Sequence, residues 1–192
     1  PFDRAVGLRD YGAYELQVMG GLELVVSTAV DENDGNFGPG HLSLREAVGL
    51  ANDGPEPDEI RFSPDLNGQP ILLTQGQLEI ADPVTILGNG AANTIIDGQQ
   101  KSRVFNISSG GGDVTFEGVT VRNGKTRTAD FFDGGGAIRS LSTGTLALLQ
   151  STLTNNTIEG TNAGGGAAFA VGNVRISNST VVIAVYLRVK TT

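Results

Sequence analysis

The chain of 192 residues carries a formal net charge of −8 and contains neither cysteine nor tryptophan. Its 13 basic residues are scattered along the sequence, which argues against nucleic acid as a partner because phosphate binding requires clustered Lys and Arg. The lack of cysteine excludes a disulfide framework and thiolate metal sites, and no run of about 18 apolar residues is present to span a membrane.

The first predicted elements are a strand and a polar loop. Residues 1 to 20 form a separate segment that contains two of the three tyrosines. Residues 25 to 29 predict a strand, which runs into a loop of acidic and amide residues at 31 to 36.

A single helix is predicted after this loop. Ser43 and Glu46 have the spacing of a capping box, in which the serine hydroxyl caps the free amides and the glutamate reaches back to the first turn. Apolar residues follow on one side of the segment, and the sequence Asn-Asp-Gly-Pro then ends it. We predict a helix over residues 43 to 52.

Short strands dominate the remainder of the chain. Apolar residues alternate in these segments, so the period is two and the element is a strand. The strands before the first glycine cluster are predicted at residues 59–62, 71–74, 78–80, 84–87, 94–97 and 104–107.

The strands belong to a repeated pattern. Each copy has a glycine cluster, then a short strand of alternating apolar residues, and then Ser or Thr and Asn. Aligned on Val84, Val114, Leu146 and Val174, its copies are spaced by 30, 32 and 28 residues, which is the range of stacked repeats. Short strands and turns also fit a sandwich or a barrel. The self-similarity favours a parallel β-solenoid of about four coils, because each coil must bury its apolar face on a neighbour. The helix would then cover one open end.

Several segments resemble a known family. The sequence HLSLREAV at residues 41 to 48, followed by DEIRF at 58 to 62 and TIIDG at 94 to 98, resembles the CSLREA-type module of large bacterial surface proteins. Leu42 stands where that family has cysteine. Further along, GGGAI at residues 134 to 138 and STLTNN at 151 to 156 resemble the repeats of polymorphic outer membrane and autotransporter-like proteins.

The resemblance implies a right-handed parallel β-helix that is secreted or displayed on the surface of a bacterium. Most such modules have no known activity. The sequence DYGAYE at residues 10 to 15 is similar to the motif that closes a preceding module, so a boundary is expected near Gly20 and Gly21. Four parts are expected. Residues 1–20 are the tail of a preceding module, and residues 21–58 contain the first strand, the polar loop and the capping helix. Residues 59–182 form the coils, and residues 183–192 form an atypical C-terminal strand.

Asn123 and Asn155 occupy matching places in two repeats. Asparagine at a corner tolerates left-handed backbone angles and can stack as a hydrogen-bonded ladder. We therefore predict a structural role for both residues.

The residues with the most chemical potential lie in a long insertion. Asp130 and Asp133 are three apart with Arg127 nearby, and β-helix enzymes that act on polysaccharides use aspartates with a basic residue or a carboxylate pair. Phe131 and Phe132 are candidates for stacking on sugar rings. No lyase or polygalacturonase motif surrounds these residues, so a solvated loop is the alternative interpretation.

The polar loop near the N-terminus is a candidate calcium site. Asp31, Asn33 and Asp34 supply oxygen donors, although Gly35 stands where an EF-hand needs a ligand. A simple turn is the alternative. Calcium is the only cofactor that the sequence suggests.

Two functions remain open from the sequence. One is a non-catalytic surface module, adhesin-like or structural, that presents its loops to a glycan, a matrix or a neighbouring cell. The other is a polysaccharide lyase or glycoside hydrolase that uses Arg127, Asp130 and Asp133. An uncovered last coil would also allow end-to-end self-association.

Overall fold

The computed structural model describes residues 16–18, 21–54, 56–127, 130–159 and 165–183. These residues form one α-helix, α1 (Leu44–Ala51), and two 3-10 turns, Pro64–Leu66 and Phe131–Asp133. They also form 17 short strands: β1 Leu16–Val18, β2 Gly21–Val26, β3 Asp58–Phe62, β4 Pro70–Leu72, β5 Leu78–Ile80, β6 Val84–Leu87, β7 Ile95–Asp97, β8 Phe105–Ile107, β9 Val114–Glu117, β10 Thr120–Arg122, β11 Lys125–Arg127, β12 Ile138–Ser140, β13 Thr145–Leu149, β14 Thr152–Glu159, β15 Ala168–Ala170, β16 Asn173–Ser177 and β17 Thr180–Ile183.

The strands wind into three sheets. Sheet A has the order β1-β2-β3-β6-β9-β13-β16, sheet B contains β4, β7, β10, β14, β17 and β11, and sheet C has the order β15-β12-β8-β5. The chain visits A, B and C in turn, and all pairs are parallel except β1 with β2. The predicted parallel β-solenoid of about four coils is therefore confirmed.

The predicted alignment of the repeats is the observed register of sheet A. Val84 pairs with Val114, Val114 with Leu146, and Leu146 with Val174. Since strand side chains alternate between faces, this register stacks apolar residues inside the coils. Phe105 and Phe116 meet there from two sheets, with ring centroids 4.8 Å apart.

The recurring glycine clusters stack on each other in neighbouring coils. The N–H groups of Gly135 and Gly136 donate to the carbonyl oxygens of Gly165 and Gly166, both at 2.8 Å. A Cβ atom on Gly136 would lie 2.3 Å from the carbonyl oxygen of Thr157. The cluster thus permits a close approach of backbones that any side chain would prevent.

Helix α1 covers the first coil, as predicted. Both halves of the capping box are present: Ser43 Oγ accepts from the Glu46 N–H at 3.1 Å, and Glu46 Oε2 accepts from the Ser43 N–H at 3.0 Å. The buried side of the helix, with Leu44 and Val48, packs against β2, β3 and β5. Leu42, which replaces the cysteine of the resembled module, is buried in this core.

Two predicted strands end earlier than expected, because the N–H groups of their last residues donate to a loop carbonyl or a side chain instead of to a neighbouring strand. The strand predicted at residues 25 to 29 is β2, which ends at Val26, and the N–H groups of Ser27 and Thr28 bind the Leu42 carbonyl oxygen. The strand predicted at 71 to 74 is β4, and the Thr74 N–H donates to the Asp31 carboxylate instead of to the sheet.

The two ends of the chain lie largely outside the described residues. In the N-terminal segment the structure describes β1, which pairs antiparallel with β2. In the predicted C-terminal strand it describes only the backbone of Ile183, at the end of β17. The expected boundary near Gly20 and Gly21 stays a prediction.

Candidate functional site

Sheet C exposes one column of side chains. Its strands have three residues each, and in β5, β8 and β12 the middle residue is more exposed than its two buried neighbours. The parallel register places Glu79, Asn106, Arg139 and Phe169 next to one another, one from each coil. Asn106 Nδ2 donates to Glu79 Oε2 at 2.6 Å, and Arg139 Nη1 donates to Asn106 Oδ1 at 3.3 Å. These hydrogen bonds hold the polar part of the column in place.

The insertion after β11 folds against this column. Arg139 Nε donates to the carbonyl oxygen of Phe132 at 2.9 Å. The ring of Phe132 meets Phe169 edge to face, with centroids 6.2 Å apart and planes at 90°. Phe132 remains 59% exposed. We call Glu79, Asn106, Arg139, Phe169 and Phe132 the sheet C face.

This arrangement is suited to a polar ligand with an apolar side. The exposed Phe132 ring offers an apolar surface on which the C–H side of a sugar can pack. The neighbouring amide, guanidinium and carboxylate groups supply donors and acceptors for hydroxyl groups. The side chain of Phe131, the other predicted aromatic candidate, lies outside the described part of the structure.

Asp133, predicted as a catalytic candidate, anchors the insertion to the coil through Arg103. Its Oδ1 accepts from Arg103 Nη2 at 2.7 Å, and Arg103 also donates to the backbone oxygens of Asp133 and Gly135 at 2.9 Å. The Arg103 side chain is only 5% exposed. Because a buried guanidinium needs a counter-charge, Asp133 serves to neutralise Arg103.

Asp130 and Arg127 have separate local partners. Asp130 Oδ1 accepts from the Phe132 N–H at 2.8 Å and so caps the 3-10 turn Phe131–Asp133. Arg127 Nε donates to Glu159 Oε2 at 2.7 Å, on the neighbouring strand β14. Each of the three predicted catalytic residues thus has a different described partner, and their catalytic role stays a prediction.

The predicted calcium residue Asp31 is a structural carboxylate. It is buried, and Arg45 binds it through Nε at 2.7 Å and Nη2 at 3.2 Å. The N–H groups of Thr74 and Gln75 donate to Oδ2 at 2.6 and 2.8 Å. Burial alone would raise the pKa of Asp31, but the hydrogen bonds from Arg45, Gln75 and Thr74 outweigh it and lower that pKa. The carboxylate therefore ties the loop to the end of β4.

The other two calcium candidates lie on the exposed part of this loop. Asp34 Oδ1 accepts from the Asn36 N–H at 2.8 Å, which is the turn that was the alternative interpretation. Asn33 is exposed beside it. In the described part of the chain, no group of three or more His, Asp and Glu side chains is arranged to hold a metal ion.

The predicted corner asparagines have left-handed backbones, but the hydrogen bonds differ from a simple ladder. Asn123 and Asn155 have φ angles of 55° and 54°. Asn123 Nδ2 donates to Asp97 Oδ2 of the preceding coil at 2.9 Å. At the other corner, the buried neighbour of Asn155 makes the hydrogen bonds to the preceding coil. That neighbour, Asn156, donates to the Val121 carbonyl oxygen at 3.0 Å and accepts from the Gly124 N–H at 2.8 Å.

Sequence reasoning missed the residues of the sheet C face other than Phe132. Glu79, Asn106, Arg139 and Phe169 are each the middle residue of a short strand, one per coil. A signal was present, because positions about one coil apart must stack once the register is known. The folding of the insertion against them was not encoded in any local pattern.

Comparisons with models of known protein families, with curated proteins and with solved structures gave no match. Within the described ranges, no helix has the length and apolar character needed to cross a bilayer.

Proposed function

We propose that this chain is a non-catalytic β-helix module of a secreted or surface-displayed bacterial protein, with an adhesin-like role in which the sheet C face binds a glycan. The observation that carries the proposal is the exposed Phe132 ring beside an ordered column of polar side chains. The resemblance of residues 41 to 48 to the CSLREA-type module supports the extracellular location.

Glycan binding is favoured by the order already present in the sheet C face. Arg139 is held by both Asn106 and the Phe132 carbonyl oxygen, and Asn106 is held by Glu79. Binding to side chains that are already fixed loses less conformational entropy than binding to mobile ones. The face is also continuous over four coils, which suits an extended ligand.

Catalysis is the less favoured function because its candidate carboxylates are in use. Glycoside hydrolysis requires two carboxyl groups that flank the scissile bond. Asp133 neutralises Arg103, and Asp130 caps the turn that carries Phe132. A polysaccharide lyase or glycoside hydrolase would have to use carboxylates that already hold the insertion in place.

The test is binding of the purified chain to a panel of polysaccharides, with and without calcium, while newly formed chain ends are also measured. We expect binding without cleavage. Phe132→Ala should weaken it about tenfold, since an aromatic contact contributes about 1 to 1.5 kcal/mol.

Leu72→Ala is the matched control, because Leu72 is an exposed apolar side chain on sheet B. It should bind like the unmodified chain. New chain ends that disappear with Asp133→Ala, in a variant that retains its circular dichroism spectrum, would support the enzyme instead. Absence of binding to the whole panel would remove the glycan role and leave a structural spacer.

A further inference from the structure

A groove of about 300 Å³ lies on a different part of the solenoid, lined by Gln100, Lys101, Lys125 and Arg127. The first two belong to the turn after β7, and the last two begin and end β11 in the next coil. The Lys125 N–H donates to the Ser102 carbonyl oxygen at 2.9 Å, so the turn and the strand are adjacent layers. Two consecutive coils therefore contribute the lining.

The groove has an excess of positive charge. Lys125 Nζ and Arg127 Nε lie 2.7 Å from different oxygens of Glu159, which is on the neighbouring strand β14. Hydrogen bonds from these two cations lower the pKa of Glu159, so its carboxylate stays ionised at neutral pH. Lys101 Nζ instead donates to the neutral amide oxygen of Gln99 at 3.1 Å. Three cations and one carboxylate leave two positive charges on a chain whose net charge is −8.

The turn that forms one wall is held in an unusual conformation. Gln99 and Gln100 both have left-handed backbones, with φ angles of 55° and 57°. Consecutive left-handed residues other than glycine are strained, and such strain is concentrated at functional positions. Gln100 Nε2 donates to the Asn155 carbonyl oxygen at 2.7 Å, and its Oε1 accepts from Thr157 Oγ1 at 3.2 Å. The strained turn thus fixes Gln100 and presents Lys101 to the groove.

We propose that this groove binds the acidic groups, carboxylate or sulfate, of an anionic polysaccharide. The guanidinium of Arg127 is 76% exposed and offers a planar fork that matches either group. Lys101 adds a second charge from the preceding coil. The volume is at the lower end of the range for small-ligand sites, which fits one acidic sugar. The groove stands apart from the sheet C face and does not depend on the function proposed for it.

The experiment measures binding of the full chain to a carboxylated polysaccharide, a sulfated one, a neutral dextran and single-stranded DNA at several salt concentrations. We expect the carboxylated or the sulfated chain to bind, and the binding to weaken as salt rises, because the contacts are ionic. The two acidic polymers distinguish the group that is recognised. Stronger binding of neutral dextran or of DNA would overturn the proposal.

Variants then locate the binding. Lys101→Gln removes a charge without breaking the Glu159 ion pairs and should reduce affinity about tenfold. Arg175→Gln removes an equal charge from the exposed strand β16 and should have no effect. An equal loss of affinity in both variants would mean that the polymer is attracted by the general charge of the chain. A loss of affinity in Phe132→Ala alone would place the ligand on the sheet C face. Either result would contradict binding in the groove.

Discussion

Asp31 and Asp58 are both buried carboxylates, but the groups around them differ. Asp31 accepts hydrogen bonds from Arg45 and two backbone N–H groups, and its pKa is lowered. Asp58 points into the coil and pairs with Val84, the residue at the equivalent position of the next coil. Burial raises the pKa of Asp58, and the hydrogen bond from the Leu22 N–H opposes this rise. The nearby charges of Asp82 and Glu56 raise the pKa further. The two residues should therefore respond to pH in opposite directions.

Asp31→Asn should lower the free energy of unfolding at pH 7 by about 3 kcal/mol, because it leaves the Arg45 guanidinium without a counter-charge. The folded-state pKa of Asp31 lies below the unfolded value of about 4, so its contribution is complete above that pH. It is lost as the pH falls through the folded pKa. Urea unfolding at pH 7 and in acid measures the difference, which should shrink in acid.

Asp58→Asn provides the comparison with the opposite sign. Asparagine keeps an oxygen for the Leu22 N–H but has no charge to bury. Folding raises the pKa of Asp58. The unmodified chain therefore loses free energy of unfolding as the pH rises through the folded-state pKa of this residue. The variant should be more stable than the unmodified chain at pH 7 and gain nothing well below pH 4. A loss of stability at pH 7 would contradict this account.

At the scale of the elements, β14 explains why a predicted corner residue and a buried neighbour have different roles. The first part of β14, Thr152 to Thr154, pairs with β10, and its last part, Thr157 to Glu159, pairs with β11. Between these parts Asn155 turns into the left-handed region, and the pairing with β17 shifts register. The turn directs Asn156 inward, where it meets both Val121 and Gly124.

Asn156→Ala should therefore cost about 2 to 5 kcal/mol of unfolding free energy, since the Val121 carbonyl and the Gly124 N–H each lose a buried partner. Asn155→Gly is the matched control, because glycine adopts a φ of 54° without strain. Chemical denaturation compares the two. Equal losses would mean that the corner, rather than the buried hydrogen bonds, provides the stability.

Sequence pattern predicted the coils well because each coil repeats the same inward alternation. Val84, Val114, Leu146 and Val174 proved to be direct partners for this reason. The capping box of α1 was also predictable, since its two residues are only three apart. Both features depend on residues that are close in sequence or repeat at a fixed spacing.

The candidate sites were less predictable because their contacts join different coils. Arg103 meets Asp133 across 30 residues, and Arg127 meets Glu159 across 32. Sequence proximity instead grouped Arg127 with Asp130 and Asp133, which have other partners. No local pattern distinguishes an aspartate that neutralises a buried arginine from one that is available for chemistry.

At the scale of the whole molecule, the two ends of the solenoid are different. Helix α1 covers the first coil. At the other end Val174 and Ile176 are 51% and 53% exposed, although their partners Leu146 and Leu148 in the preceding coil are buried. The last described strands thus present the apolar stripe of a coil with nothing described on top of it.

We expect two copies of the chain to associate through these C-terminal ends. A helix-covered end cannot accept the apolar stripe, so stacking of one end on the same end of a second copy gives closed dimers rather than filaments. Sedimentation velocity over a concentration series should detect the dimer. The double variant Val174→Lys and Ile176→Lys should be monomeric, whereas Val30→Lys, at an exposed loop position, should still dimerise. A chain that is monomeric at every concentration would contradict the prediction.

The three-residue strands of sheet C also bear on how such a protein changes over generations. Each coil contributes one outward side chain to this sheet, and the flanking residues of β5 and β8 are buried in the core. Duplication or loss of one coil would lengthen or shorten the face by about 4.8 Å and alter a single chemical group. Gain and loss of coils can therefore change the length and the chemistry of this face, while the interior packing stays the same.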